Sequence, residues 1–561
     1  MIIGVDFDNT IVNYDDIIYR LAVQQGLNPL DSNQGKKQVR DTIRQLPNGD
    51  VQWQKLQALI YGKMMDQAKL MKGVKEFFRL CQLLGVKIHI VSHKTEYADL
   101  DGEKINLRSA ALQWMENNDF FNANGLDLRC EDVFFEPTRA EKIERIKKLN
   151  CTHFVDDLEE TFLEPSFPKG VNKILYSPQR QSCLAEGTDV LACWDEIISF
   201  MHNNIMDNSS LINTLSKLMD RNVSFVEPIN NGKNSKVYKV VCDDQSAFCA
   251  KFYFFNSLDK RDRLTVEFSG LQFLWENGVR CIPKPIIADK SLSCGIFEYV
   301  EGEKLTPAKI NDRDIDSAVD FLSKLNGLKS VKGVASLINA SEACFSISEI
   351  VDNIQSRLDK LSKSKEKSST NDKLHDYLKN EYLPLFKTVV SWAKKMAAQL
   401  DGDYDTQICS RERTLSPSDF GFHNAIKKPD GRIVFIDFEY FGWDDPAKMI
   451  SDFLLHPAIE YGQDMKQRFM DKMMIAFGAD SALSKRTEIV YPLFGLKWCL
   501  ILLNEYLPEH MLRRNFAKKE GIDRTAVLMQ QLAKSGEMLS RISGEYQNFP
   551  YKKENNHGKS A

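Results

Sequence analysis

The sequence has 561 residues, of which 43% are hydrophobic and 27% are charged, as in an ordinary globular chain. This length predicts about three or four domain-sized units. Lys and Arg together number 74 against 78 Asp and Glu. The resulting net charge of −4 argues against a chain-wide affinity for nucleic acids or anionic membranes.

Three further features bear on location. The chain starts directly on an apolar, strand-like run, with no basic segment and no signal sequence before it. The most apolar late stretch, 491–507, is interrupted by proline, glycine and lysine and is shorter than the ~20 apolar residues of a membrane span, so we predict a buried helix. The 12 cysteines form no CxxC pair, which is typical of reduced thiols. We therefore expect a cytoplasmic protein.

The first predicted element is a buried strand over residues 1–5, followed directly by Asp6 and Asp8. Ligands bind at the carboxyl ends of strands in α/β sheets. Two carboxylates this close repel each other unless a cation or a shared proton neutralises them. The pattern suits phosphoryl chemistry, in which one carboxylate attacks phosphorus and the other handles the leaving-group proton, with Mg²⁺ between them. A solvated turn with two acids is the alternative interpretation.

Two later strand-like runs also end in polar residues, the first in Ser92 and the second in Asp156 and Asp157. An amphipathic helix pattern with Lys142 near its start lies between these runs. Lys142 is therefore a candidate cation for the same site. Lys94, which directly follows the first run, is the alternative.

These motifs, in this order, resemble those of the haloacid dehalogenase superfamily of phosphohydrolases over roughly residues 1–200. The resemblance implies a doubly wound parallel α/β sheet in a domain at 1–202. It also implies a small helical cap, inserted at about 14–72, that excludes water and selects a small-molecule substrate. The implied roles are nucleophile for Asp6, acid/base for Asp8, phosphate-holding hydroxyl for Ser92, charge-neutralising cation for Lys142, and Mg²⁺ site for Asp6, Asp8, Asp156 and Asp157.

A second group of motifs follows a polar segment, 203–222, that we interpret as a linker. A strand–loop–strand pattern comes next, whose loop carries one glycine, Gly232, and ends near Ser235; one glycine is weak support for a phosphate-binding loop. Lys251 then stands in an otherwise apolar strand, and Glu267 lies on the following helix pattern, within possible reach. In kinase folds such a pair positions the α- and β-phosphates of the nucleotide.

The later part of the chain supplies three more candidates. Asp419 and Asn424 lie five residues apart in a loop that enters a short strand, and Asp437 ends the next apolar run. In phosphoryl transfer the first Asp would accept the proton of the acceptor hydroxyl, and the Asn and second Asp would hold Mg²⁺. His423 is interpreted as a packed loop histidine in preference to a catalytic one.

This half resembles the aminoglycoside phosphotransferase and choline kinase group. The resemblance implies a two-lobed α+β kinase-like domain at 223–545, with lobes 223–302 and 303–545, before a disordered tail at 546–561. It implies an ATP site that includes Ser235, Lys251, Glu267, Glu298 and Val300. The catalytic loop of the group reads His-Gly-Asp, whereas Pro417 stands here in place of the histidine.

The combined interpretation is a chain with two phosphoryl-transfer sites, a Mg²⁺-dependent phosphatase and an ATP-dependent kinase of a small molecule such as a sugar. Such a pair would relocate a phosphate in the synthesis of a metabolite or a surface-polysaccharide precursor. The expected partners are a phosphorylated small molecule and a hydroxyl acceptor, without nucleic acid or membrane. The alternatives are a sensing regulator, which the missing histidine favours, an antibiotic-modifying kinase with a passenger front domain, and nucleic-acid end repair, which the net charge disfavours.

Overall fold

The structure is a computed structural model. The residues that it describes are 1–27, 35–98, 104–122, 125–179, 183–205, 208–229, 235–253, 261–290, 292–363, 368–399, 404–507 and 524–552. They divide into two compact units, the first reaching Lys217 and the second starting at Leu218. The predicted loop at Gly232 and the last part of the predicted tail lie outside the described residues.

The first unit alternates strands and helices. Its elements are β1 (Ile2–Val5), β2 (Val12–Asn13), α1 (Asp15–Gln24), α2 (Lys36–Ile43), α3 (Gly49–Tyr61), β3 (Lys69–Leu70), α4 (Val74–Leu83), β4 (Lys87–His93), α5 (Leu107–Asn117), β5 (Val133–Glu136), α6 (Arg139–Lys148), β6 (His153–Asp156), α7 (Glu159–Leu163), β7 (Asn172–Tyr176), β8 (Thr188–Leu191), α8 (Trp194–Ile205) and α9 (Asn208–Met219).

Six of these strands form one sheet in the order β5-β4-β1-β6-β7-β8, and every pair is parallel. The predicted parallel sheet is therefore present. Helices cover both faces: Ile3 and Val5 of β1 share a hydrophobic cluster with α4 and α8, whereas Phe154 of β6 shares another with α6. Because both faces of the sheet are covered, the central strand β1 is apolar along its whole length.

The strand order reverses at β1. The chain proceeds from β1 to β4 and β5 on one side, then returns to β6, β7 and β8 on the other. A reversal of this kind opens a crevice at the carboxyl ends of the two central strands, here β1 and β6. The fold thus defines one preferred ligand position in the first unit.

Three helices, α1 to α3, lie between β1 and β4 within the stretch predicted as a cap. They contact one another and contribute Ile17, Ile43 and Leu56 to the core of the unit. Strands β2 and β3 pair as a short antiparallel ribbon at the two ends of this stretch.

The second unit begins with antiparallel strands and continues mainly as helices. Its elements are β9 (Val223–Pro228), β10 (Ser235–Cys242), β11 (Ala247–Tyr253), α10 (Arg263–Glu276), β12 (Pro285–Asp289), β13 (Cys294–Glu298), β14 (Glu303–Lys304), α11 (Asp312–Gly327), α12 (Ile347–Ser362), α13 (Ser369–Tyr377), α14 (Leu383–Ala397), β15 (Thr414–Ser416), β16 (Ala425–Lys427), β17 (Ile433–Phe435), β18 (Gly442–Asp444), α15 (Pro446–Leu455), α16 (Gln463–Ala476), α17 (Leu483–Leu502) and α18 (Arg524–Glu545).

Five strands form a sheet in the order β12-β13-β11-β10-β9, and α10 contacts β12 and β13. Asp262 starts α10 by accepting a hydrogen bond from the backbone N–H of Thr265, the usual way to satisfy a free amide at a helix N-terminus. Two small ladders, β14-β16-β17 and β15-β18, lie among the helices that follow. Their connecting loops carry the predicted residues Asp419, Asn424 and Asp437.

Two residues fix the start of helix α15. Asp445 caps it by accepting from the N–H of Ala447, and Pro446 occupies its first position, where no amide is needed. All of its residues are buried, and it lies against α17.

Among the described residues, one helical segment is long and apolar enough to cross a membrane by length and composition: Leu483–Tyr506, which is α17 with the 3-10 turn that follows it. In the structure 72% of its most apolar 18-residue stretch is buried inside the protein, as in the core helix of a globular unit. The stretch predicted as a buried helix overlaps it.

Candidate active sites

The crevice between β1 and β6 holds two of the predicted acids. Asp6 directly follows β1, and its N–H donates to the carbonyl of Val155 in β6 at 2.9 Å. Asp156 ends β6 and is fully buried. The sheet register therefore brings together two carboxylates that lie far apart in the sequence.

Lys142 of α6 lies between these carboxylates. Its Nζ donates to Oδ1 of Asp6 at 2.6 Å and to Oδ2 of Asp156 at 2.7 Å. Burial disfavours the ammonium, but the two carboxylates outweigh it and raise the pKa of Lys142 above its usual value. Of the two candidate lysines, Lys142 is the one that contacts Asp6.

The charge on this site is not balanced. Carboxylate oxygens of Asp6, Asp156 and Asp157 lie within 4.8 Å of one another, with Lys142 as the cation between two of them. Burial and the neighbouring acids raise the pKa of Asp6 to about 6, and burial together with Asp156 raises that of Asp157 well above its usual range. Hard oxygen donors with excess negative charge fit a divalent cation such as Mg²⁺.

Asp8 has a different set of contacts from the other acids. Nζ of Lys94 lies 3.1 Å from its Oδ1 and 2.9 Å from its Oδ2, and the Tyr14 hydroxyl donates to Oδ1 at 2.5 Å. Lys94 also lies over the ring of Tyr61 of α3, 4.8 Å from its centroid. Asp8 is thus held by Tyr14 and Lys94 and does not belong to the cluster formed by Asp6, Asp156 and Asp157.

Two other residues border this crevice. Ser92 is buried in β4, the neighbour of β1, close to the strand's carboxyl end. Lys36 of α2 donates to the side chain of Asn9 at 3.1 Å and to the hydroxyl of Tyr61 at 2.6 Å. The helices of the predicted cap stretch therefore contribute polar side chains next to the motif that carries Asp6 and Asp8.

In the second unit, Lys251 of β11 and Glu267 of α10 form the ion pair that their spacing suggested, with Nζ 2.7 Å from Oε2. Nζ also donates to Oδ1 of Asp437 at 2.6 Å. The hydroxyl of Tyr253 donates to the same Glu267 oxygen at 2.7 Å. Burial opposes the lysine charge, yet Asp437 and Glu267 raise the pKa of Lys251 well above its usual value.

Asp437 follows β17 with a φ of 69°, in the left-handed region that a non-glycine residue seldom adopts. The next N–H, that of Phe438, donates to Oε1 of Glu267 at 3.2 Å, which anchors this conformation. Glu439 completes a second three-acid cluster with Glu267 and Asp437. Burial, then Asp437, raise the pKa of Glu439 to about 7.

Asp419 lies in the loop after β15. Its Oδ1 accepts from Nε2 of His423 at 3.2 Å and from Nε2 of His456 at 3.0 Å. Desolvation favours the neutral acid, but these hydrogen bonds outweigh it and hold the pKa of Asp419 well below its usual value. The amide of Asn424 donates to the backbone carbonyl of Asp419 at 3.0 Å, and the backbone carbonyl of Asn424 accepts from Ile436, next to Asp437.

The other predicted nucleotide residues are less clearly placed. Ser235 is buried at the start of β10, opposite Tyr253 of β11. The carboxylate of Glu298, at the end of β13, accepts from the backbone N–H of Lys284, and Val300 is buried just beyond. Their role in binding a nucleotide stays a prediction.

Four contacts were not predicted from the sequence. Tyr14 and Lys94 hold Asp8, Glu439 joins Asp437, and His456 joins Asp419. Only Glu439 carries a signal, since it lies two residues after Asp437 and could face the same side of an extended segment.

No protein-family model matches the sequence, and no curated protein matches it either. The structure is similar to solved structures of small-molecule kinases over about 60% of the chain.

Spectinomycin phosphotransferase, in complex with ADP and spectinomycin, gives a TM-score of 0.43 at 11% identity, covering 60% of this chain and 99% of its own. A choline kinase from Streptococcus pneumoniae gives a TM-score of 0.39 at 16% identity, covering 59% of this chain and 98% of its own. An ethanolamine kinase from Plasmodium vivax gives a TM-score of 0.40 at 14% identity, covering 60% of this chain and 91% of its own.

Proposed function

We propose that this chain is a bifunctional phosphoryl-transfer enzyme, with an ATP-dependent kinase site in the second unit and a Mg²⁺-dependent phosphatase site in the first. The kinase is the better supported of the two. The observation that carries it is the contact of Lys251 with both Glu267 and Asp437, three residues from separate elements. An ion pair that holds a lysine beside a candidate metal ligand is the arrangement that ATP phosphates require.

Each kinase residue then has a distinct task. Lys251 pairs with the nucleotide phosphates, and Glu267 fixes its position. Asp419 accepts the proton of the acceptor hydroxyl as the oxygen attacks the γ-phosphorus. Ser235, Glu298 and Val300 are the remaining proposed nucleotide contacts.

Asn424 and Asp437 would hold Mg²⁺. The donor set supports this, because Asp437 belongs to a cluster of three acids that Lys251 and Arg263 together only partly balance. Bound Mg²⁺ supplies charge neutralisation for the phosphates.

The kinase proposal is tested by Asp419→Asn, which keeps the shape of the side chain but removes the basic oxygen. We expect ATP binding to persist in titration calorimetry with Mg²⁺ present. ADP release with a panel of sugars and amino alcohols should fall by roughly 1,000-fold or more. Asp430→Asn, an exposed acid of the β16–β17 turn, is the control and should behave as wild type. An Asp419→Asn variant at the wild-type rate would overturn the proposal, and tight ATP binding with no acceptor would favour a sensing regulator.

The phosphatase is a second candidate because one observation favours it: Lys142 bridges Asp6 and Asp156 at the switch point of the parallel sheet. In this proposal Asp6 attacks phosphorus and Lys142 neutralises the phosphoryl charge. Asp8 protonates the leaving group and Ser92 holds a phosphate oxygen. Asp6, Asp8, Asp156 and Asp157 are the proposed Mg²⁺ residues, of which Asp8 lies outside the three-acid cluster.

Asp6→Asn tests the phosphatase, because it removes the nucleophilic charge with little change of shape. Hydrolysis of an aryl phosphate should fall by roughly 1,000-fold or more, whereas ATP turnover should not change. Asp66→Asn, an exposed acid outside the site, is the matched control. Undiminished hydrolysis by Asp6→Asn would refute the assignment.

A chain with both activities would remove a phosphate from one position of a metabolite and add one at another. We propose a small phosphorylated substrate, such as a sugar on the route to a surface polysaccharide, and a cytoplasmic location. Assaying the panel products for relocated phosphate distinguishes this from an antibiotic-modifying kinase, which would act on aminoglycosides instead.

A further inference from the structure

Two histidines from different parts of the second unit converge on one oxygen of Asp419. His423 lies in the same loop, and His456 directly follows α15. Both Nε2 atoms lie within hydrogen-bond distance of Oδ1, at 3.2 and 3.0 Å. Their rings stack with centroids 3.9 Å apart and planes 13° from parallel. Among the described residues, no donor contacts the other oxygen, Oδ2.

The second nitrogen of His456 fixes its tautomer. Nδ1 accepts from the backbone N–H of Ala458 at 3.1 Å, so the ring proton of the neutral imidazole must be on Nε2, where it points to Asp419. The same fact argues against a metal at Asp419, His423 and His456, although their ligand atoms lie within 4.8 Å of one another. A metal would need the Nε2 lone pair, which would turn Nδ1 into a donor facing the Ala458 N–H.

Neighbouring packing holds both rings in place. Trp498 of α17 lies edge-on to His456, with centroids 4.5 Å apart, and its indole N–H donates to Asp452 at 2.9 Å. His423 lies against Gly421, where a Cβ would be only 2.8 Å from its Nδ1. The rings thus have little freedom to leave the Asp419 carboxylate.

We propose that His423 and His456 are positioning residues for the kinase reaction, holding Oδ1 of Asp419 so that Oδ2 is the oxygen that receives the acceptor proton. This rests on the proposed role of Asp419 as base. Two N–H donors on one oxygen fix the rotation of the carboxylate group, which one hydrogen bond would leave free to turn.

The proposed step transfers the γ-phosphoryl group of ATP to the acceptor hydroxyl. The acceptor oxygen forms a bond to the γ-phosphorus of ATP while the bond from that phosphorus to the β,γ-bridging oxygen breaks. ADP leaves with that electron pair, and the acceptor proton moves to Oδ2. His423 and His456 keep their own protons throughout.

The test uses the full-length chain and separates two properties of the side chain at position 456: an N–H that can donate to Asp419, and the shape of the ring. His456→Phe keeps a ring that can stack but has no N–H, and His456→Gln keeps an N–H at the distance of Nε2 without the ring. His456→Asn has the same amide one carbon shorter, so its N–H falls short of Asp419. His423→Phe and His423→Gln repeat the comparison in the loop, and His375→Phe, on the exposed side of α13, is the control. The probe is ADP release from Mg·ATP, with water and with any acceptor that the panel identifies.

We expect His456→Phe to lower kcat by about 10- to 100-fold, the effect of one hydrogen bond to a charged group, with KM for ATP within about twofold of wild type. His456→Gln should recover most of the loss. If His456→Phe unfolds, the ratio of kcat for His456→Gln to kcat for His456→Asn decides instead. We expect His456→Gln to be at least about tenfold faster.

Four results would overturn the inference. A His456→Phe enzyme with wild-type kcat, beside an inactive Asp419→Asn, would refute the positioning role and leave the kinase proposal intact. Equal rates for Gln and Asn would refute it as well. Activity in Asp419→Asn, or no ADP release by wild type, would refute the kinase proposal and this inference together.

Discussion

Nζ of Lys142 lies 2.6 Å from Oδ1 of Asp6, although 136 positions separate the two residues in the sequence. The side chain of Lys142 is only 2% exposed and that of Asp6 only 6%. A buried ion pair of this kind is costly to break from one side, because the partner is left charged without compensation.

Lys142→Met should therefore lower the free energy of unfolding of the first unit by about 3–5 kcal/mol. Mg²⁺ should restore part of this stability, because it can neutralise the remaining carboxylates. Urea unfolding with and without Mg²⁺ measures both effects. Lys147→Met, on the exposed face of the same helix, is the control, and equal stability of the two variants would contradict the prediction.

Tyr14→Phe should slow the phosphatase about tenfold, because it removes the hydroxyl that donates to Asp8 while keeping the ring in the core. Aryl phosphate hydrolysis measures the change, and ATP turnover should be unaffected. Tyr97→Phe, at an exposed position, serves as the comparison. Identical rates for both variants would mean that Tyr14 does not help to position Asp8.

Glu267→Gln should weaken productive ATP binding by about tenfold or more, since Lys251 loses a charged partner and Tyr253 loses a carboxylate acceptor. Titration calorimetry with Mg·ATP gives the dissociation constant directly. Glu276→Gln, at the far end of the same helix, should bind as wild type does. Unchanged affinity in Glu267→Gln would remove the ion pair from the nucleotide site.

The two metal sites should fail separately. Asp437→Asn should abolish ATP turnover and spare aryl phosphate hydrolysis, whereas Asp156→Asn should do the reverse, because each removes one carboxylate from one cluster. A chelator should stop both reactions until Mg²⁺ is added back. Chelator-resistant hydrolysis would show that the first site works without a metal.

Gly421→Ala should reduce kinase kcat to a level similar to that of His423→Phe, because the new methyl group would overlap the imidazole of His423. Steady-state ADP release measures kcat, and thermal unfolding shows whether the change stays local. Gly462→Ala, which has open space around it, is the control. Gly431→Ala would not serve, because the φ of 84° at this position strains any side chain. A fully active Gly421→Ala enzyme would contradict the prediction.

Local patterns predicted the parallel sheet and the candidate pairing of Lys251 with Glu267. An apolar run followed by acids predicts a strand that ends in a ligand-binding edge, and helix periodicity places Lys142 near that edge. Each of these patterns extends over only a few neighbouring residues, so it can be recognised in the sequence without knowledge of the fold. The domain boundaries and the roles of the site residues stay predictions, as does the resemblance of the first unit to haloacid dehalogenase phosphatases.

The sequence by itself determined which residue types stand at the ends of strands, because backbone conformation and burial follow from neighbouring side chains. Only the tertiary structure decided which of two lysines contacts Asp6, and that His456, 37 positions from Asp419, donates to the same oxygen as His423. It also decided that Tyr14 and Lys94 hold Asp8. These partners are chosen by the packing of distant elements, and no short pattern in a single sequence records that packing.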